Sequence, residues 1–187
     1  MRYLSLLATA ALLSISTLAG MDVNRPAPAF TIEKTDGTKV PLSQYKGKVV
    51  LMVFMSPTCP HCQQLTPALN QLQSELGPQG LQVYSVAFAE MKDYMPEYLQ
   101  KYQPQYPAGL ATRQQNEAFL QHSTMMRFMV PQVVLIDKQG MIRHHFDSGD
   151  AIFRNPVPGF KAEVEKLLAE GTSSTKKPVK KATSKKT

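Results

Sequence analysis

A chain of 187 residues with 43% hydrophobic content, two cysteines and no tryptophan is too apolar for a disordered chain and too poor in cysteine for a disulfide-stapled scaffold. It also has no apolar run of the length that reliably spans a bilayer. The formal net charge of +7 sits at the ends, six units on Lys176, Lys177, Lys180, Lys181, Lys185 and Lys186 and one on Arg2; the body between is formally neutral, so no nucleic-acid partner is expected.

The chain opens on Met1-Arg2, an apolar stretch from Tyr3 to Ile15 and small residues around Ala19 and Gly20. A basic start, a short apolar core and a small-residue cut site after Ala19 are the parts of a secretory signal peptide. Residues 1–20 therefore read as a leader or an uncleaved N-terminal anchor, and residues 21–170 as an exported domain in a periplasmic or other extracytoplasmic space. No cysteine lies near the cut, which excludes a lipoprotein anchor.

Ala29 to Glu33 and Thr38 to Leu42, joined through Asp36-Gly37, predict a β-hairpin. Lys48 to Met55 is almost wholly apolar, as a central strand covered on both faces should be. Next comes Ser56-Pro57-Thr58-Cys59-Pro60-His61-Cys62, followed by Leu65, Leu69, Leu72 and Leu76 at helical spacing up to Gly77-Pro78. Leu81 to Phe88 gives a third strand, Met91 to Tyr102 a helix with Pro96 near its first turn, and Thr112 to Gln121 a short helix. Gln132 to Asp137 and Met141 to Phe146, around Lys138-Gln139-Gly140, form a second hairpin signal. Phe160, Val164, Leu167 and Leu168 mark one face of a last helix that stops at Gly171. The alternation of strands and helices predicts an α/β layout. Residues 171–187, rich in Lys, Ser and Thr, bury too little to offset their ordering entropy and read as a disordered tail.

Cys59 and Cys62 carry the chemistry. They lie at i and i+3 where a buried strand hands over to a helix, so the first thiol sits at the helix N-terminus, whose unpaired N–H groups and dipole favour a thiolate. Only the thiolate attacks a disulfide, and a second thiol one turn inside can resolve the mixed disulfide that results. A structural disulfide or half of a metal site are the competing readings, although no second cysteine pair completes a tetrahedral set.

These residues resemble the thioredoxin superfamily, and within it the exported TlpA-like and redoxin branch. The resemblance covers roughly residues 26 to 170 and rests on Arg25 to Phe30, the stretch Asp36 to Lys48, the Cys-Pro-His-Cys junction, Pro67, and Val130-Pro131 running into the apolar strand and turn that end at Gly140. It implies a thioredoxin-like fold, with a central mixed sheet flanked by helices and an N-terminal β-hairpin. It also implies a cis Pro131 facing the cysteines, with Val130 offering backbone groups to an extended substrate.

Pro60-His61 matches the Cys-Pro-His-Cys site of the strongly oxidising DsbA branch, in which a stabilised thiolate makes the disulfide a better oxidant. Most TlpA-like proteins are, by the same resemblance, reductants, and the chain lacks room for the large helical insertion of DsbA. Two positions depart from the pattern. Where thioredoxin keeps a buried Asp stands Val53, and where several TlpA-like reductants keep a Glu stands Leu65. Glu90 is the one candidate substitute, more naturally a solvated loop residue, and Thr58 is a candidate hydrogen-bond donor near the sulfur.

A peroxidase role is disfavoured, because Ser56 and Met52 stand where a peroxiredoxin places Thr and Pro before its reactive cysteine. Copper handling would draw on the two thiols with His122, His144 or His145, or on Met125, Met126 and Met129; the methionines read more simply as core or groove-lining filler, and the histidines as solvated or edge residues. The sequence thus predicts an exported thiol:disulfide oxidoreductase without cofactor or bound metal. Catalysis falls to Cys59 and Cys62 with His61 and Pro60, and substrate binding to Val130, Pro131 and Thr58. The expected partners are protein thiols and disulfides and a membrane redox protein, and the expected state is a monomer.

Overall fold

The computed structural model describes residues 21–170; the expected leader at 1–20 and Lys-rich tail at 171–187 lie outside them. Eight strands, β1 (Met21–Pro26), β2 (Thr31–Glu33), β3 (Lys39–Pro41), β4 (Val49–Met55), β5 (Leu81–Phe88), β6 (Ala108–Ala111), β7 (Gln132–Ile136) and β8 (Met141–Phe146), form one sheet among the described residues. Four α-helices, α1 (Pro60–Leu76), α2 (Met95–Tyr102), α3 (Arg113–Leu120) and α4 (Pro156–Glu170), pack on it. The strand order is β1-β8-β7-β4-β5-β6-β2-β3. Strands β4, β5 and β6 run parallel, while β7 pairs antiparallel with β4 and β8 with β7, so the sheet is mixed.

The continuous apolar run of β4 follows from its place at the centre. Val49, Leu51, Val53 and Met55 enter one core with α1, α2 and α4, and Val50, Met52 and Phe54 enter a second with the hairpin and α3. Each such side chain contributes roughly 1.5–3 kcal/mol on burial, and no solvated face remains for polar residues. Leu65, Leu69, Leu72 and Leu76, at most 4% exposed, lay α1 across the first of these cores. The expected hairpin is β2 and β3 in antiparallel register. The second is β7 and β8, whose turn is held by Asp137 accepting from the backbone N–H of Gln139 and Met141 while Gly140 takes a φ of 83°.

Three local features differ from the sequence reading. Met21–Pro26 forms an edge strand on β8, and Ala108–Ala111 forms β6 between β5 and β2; the first alternates apolar and polar for only four residues, Met21 to Asn24, and the second not at all. The helix expected from Met91 begins as a 3-10 segment, Ala89–Tyr94, and becomes α-helical only at Met95, with Pro96 in its first turn where a missing N–H costs nothing. Thr112 caps α3, accepting from the N–H of Gln115, whose side chain accepts from the Thr112 N–H in return.

Candidate active site

Strand β4 ends at Met55, and Ser56 to Thr58 turn the chain so that Cys59 becomes the N-cap of α1 and Pro60 its first residue. Cys59 is extended, at φ −79° and ψ 119°; its N–H donates to the Ser56 carbonyl at 3.1 Å and its own carbonyl accepts from Gln63 N at 3.0 Å. The Gln63 amide donates to the Pro57 carbonyl at 2.7 Å, tying the loop to the helix. Cys59 is half-buried and Cys62 buried, and both are free thiols.

Their electrostatics diverge. The Cys59 thiol is pulled down to about 5, first by the hydrogen bond from the Cys62 thiol and then, against the opposing effect of burial, by the backbone N–H groups of Cys62 and His61 and the charge of His61. The same hydrogen bond, together with burial, pushes the Cys62 thiol up. At neutral pH the outer sulfur is a thiolate and the inner one a thiol that donates to it. His61 and Pro60 are exposed at the helix start.

Across from α1, the Val130–Pro131 peptide bond is cis. Pro131 is buried, Val130 half-buried, and the Val130 carbonyl lies 3.8 Å from Cys59 Sγ. Beside it a cleft of about 270 Å³ is lined by His61, Leu65, Pro131, Phe153 and Pro156 among others. The Thr58 hydroxyl is exposed and pairs with Ser56 Oγ at 3.1 Å, a contact within the loop in place of the expected one to sulfur. A larger cavity, about 700 Å³ between the β2–β3 hairpin and the start of α3, is lined by neither cysteine.

Val53 and Leu65 share the apolar cluster that holds Cys62, so the two positions named for a buried carboxylate are occupied by buried hydrocarbon. Glu90 is exposed and pairs with Arg113 at 3.2 Å; it supplies no substitute. Two buried hydroxyls lie near the Cys62 backbone. Thr66 Oγ1 donates to the Cys62 carbonyl at 3.2 Å and lies 2.7 Å from the Tyr98 hydroxyl, with both residues buried. Sequence spacing had not marked Tyr98, which comes from α2, 32 residues from Thr66.

The remaining candidates are dispersed. Met125, Met126 and Met129 are 95%, 67% and 49% exposed on the loop before β7, which corrects their reading as core filler and leaves the groove-lining one. His122 packs edge-on against Phe128 and contacts the Met126 carbonyl at 3.3 Å. His144 lies 3.8 Å from Glu163, and His145 bonds Gln132 at 2.9 Å, so both are engaged rather than solvated. Among the described residues, none of these side chains joins the cysteines in a group of three or more His, Cys, Asp or Glu able to hold a metal.

Residues 23–145 match the family described as AhpC/TSA. A thiol-disulfide oxidoreductase ResA from Bacillus thuringiensis subsp. konkukian is 24% identical over 122 residues, 65% of this chain and 68% of that one. ResA from Bacillus subtilis is 29% identical over 89 residues, 48% of this chain and 50% of that one. Among solved structures, a thiol:disulfide interchange protein of the thioredoxin family from Chlorobium tepidum superposes with a TM-score of 0.66 at 23% identity, covering 78% of this chain and 97% of that one. A thiol:disulfide interchange protein from Bacteroides sp. superposes with a TM-score of 0.62 at 22% identity, covering 82% and 94%.

Proposed function

The chain belongs to the AhpC/TSA family, and from that premise we propose that this thiol-disulfide oxidoreductase exchanges disulfides with protein substrates through Cys59 and Cys62, outside the cytoplasm. The observation that carries the reading is the division of labour between the two sulfurs. Cys59 is a half-exposed thiolate near neutral pH at a helix N-terminus, and Cys62 is a buried thiol one turn behind it.

In the reducing direction the Cys59 thiolate attacks one sulfur of a substrate disulfide. The S–S bond breaks, the departing substrate sulfur leaves as a thiolate and takes a proton, and a mixed disulfide to Cys59 forms. Cys62 then loses its proton and attacks Cys59 Sγ, so the second substrate thiol departs and the enzyme holds a Cys59–Cys62 disulfide. Two electrons have passed to the substrate, and the reverse sequence oxidises it. Val130 presents its carbonyl beside the reacting sulfur, an edge on which an extended substrate backbone can pair. Pro131 and His61 flank a cleft for a neighbouring substrate side chain. The low Cys59 value stabilises the reduced form and so favours a couple more oxidising than thioredoxin's.

Export is assigned to residues 1–20 and the catalytic domain to residues 21–170, with a membrane redox protein as the partner that resets the pair. No described helix is long and apolar enough to cross a membrane. Replacing Cys62 with Ser tests the mechanism: a reduced C62S protein mixed with a disulfide-bonded protein should accumulate a covalent adduct that reductant releases and that mass spectrometry maps to Cys59. Failure to form any adduct, with tight Cu(I) binding by the wild type in its place, would turn the assignment to metal handling.

A further inference from the structure

Strand β7 begins with a polar residue in a position where burial is complete. Gln132 is 2% exposed, registers against Phe54 of the central strand, and directly follows Pro131. A buried primary amide is costly unless both its ends are satisfied, and here both are. Its Nε2 donates to the Met129 carbonyl at 2.9 Å, closing a loop over Val130 and Pro131, and its Oε1 lies 2.9 Å from His145 Nε2 on β8. Because the Met129 oxygen can only accept, the amide orientation is fixed, and His145 must carry its proton on Nε2 to donate. We propose that Gln132 and His145 are positioning residues: a side-chain clamp running from β8 through β7 that holds Met129 and Val130 so that the Val130 carbonyl faces Cys59.

The clamp is placed where the loop needs it. On the far side of the same loop, Phe128 is fixed by edge contacts to Phe88 and His122, with ring centroids 5.2 and 4.9 Å apart. Between those anchors Met129 is 49% exposed and contributes little packing. Burial holds the His145 ring below its ordinary range, with Arg25 and His122 acting in the same sense and the carboxylates of Asp147, whose Oδ1 lies 3.8 Å from Nε2, and Asp150 acting against it. His145 is also bridged in register to Val134 of β7 and Met21 of β1, which holds its backbone in place from both sides.

This inference rests on the proposed role of Val130 in seating substrate. It is tested on the full chain by comparing wild type with Gln132→Leu, close in size and without either hydrogen bond, in three reactions. One is turnover of a disulfide-bonded peptide substrate, the second is turnover of oxidised glutathione, which offers little backbone to seat, and the third is alkylation of Cys59 by iodoacetamide, which requires no backbone seating. The clamp predicts that kcat/KM for the peptide falls about tenfold, chiefly through KM, the scale of one lost hydrogen bond, with the alkylation rate and its pH midpoint unchanged. His145→Phe, which removes only the second partner, should shift in the same direction by less, and makes the same test if Gln132→Leu does not fold. A wild type that prefers the peptide over oxidised glutathione, and variants that keep that preference, would overturn the clamp alone. A wild type with no such preference would overturn the role of Val130 and the clamp with it. Loss of peptide turnover and alkylation in parallel would show a collapsed site and also overturn the proposal.

Discussion

The proposed chemistry of this protein is concentrated in one sulfur whose acidity is set by its neighbours. For Cys59 the leading influence is the hydrogen bond from the Cys62 thiol, and the His61 charge is the smallest of the contributions that lower it. Alkylation of reduced protein as a function of pH should therefore give a midpoint near 5, and Cys62→Ala should raise that midpoint more than His61→Ala. An equal or larger effect of His61 would contradict the order. The same shift links to stability. A thiol in the unfolded chain titrates near 8.5, so the Cys59 thiolate stabilises the reduced fold fully above that pH and loses its contribution as pH falls through about 5. The melting temperature of the reduced wild type should exceed that of Cys59→Ala by more at pH 9 than at pH 4; a gap independent of pH would show that the thiolate is not held by the fold.

At the scale of elements, the segments that declare themselves in the sequence are those whose burial pattern is written in their own residues. The seven apolar residues of β4, the four leucines of α1 and the face of α4 each specify an element without reference to anything distant. Strand β1 does not, because Met21–Pro26 becomes a strand only by pairing with β8, more than 100 residues away. Strand β6 hides for a different reason. Its residues Ala108 to Ala111 are small, and Gly109 lies so close to β2 that an added Cβ would stand 2.8 Å from the Glu33 carbonyl oxygen. Gly109→Ala should lower stability by about 1–3 kcal/mol, the usual cost of overpacking, because the obstructing atom is backbone and cannot rotate away. Denaturant unfolding measures it, and a neutral result would mean that β2 can shift outward freely.

For the whole molecule, the mixed sheet places Cys59 at the end of its central strand, with α1 on one side and the Val130–Pro131 loop on the other. The cysteine pair and the loop were legible because each carries a local motif. Gln132, His145, Thr66 and Tyr98 were not, because their roles arise from hydrogen bonds between β7 and β8 or between α1 and α2, and a polar residue in one strand gives no sign of the partner it meets. The substitution of hydrocarbon for carboxylate at Val53 and Leu65 was visible, while the hydroxyls near the Cys62 backbone required the fold. The central claim is that Cys59 and Cys62 form a reversible couple biased by a stabilised thiolate. Equilibrating the full chain against defined glutathione ratios and quantifying the free thiols at both positions tests it most directly. The account predicts a single two-electron transition between Cys59 and Cys62, with a potential between those of thioredoxin, near −270 mV, and DsbA, near −120 mV. A potential at or below the thioredoxin value, or no disulfide between the two at any ratio, would contradict it.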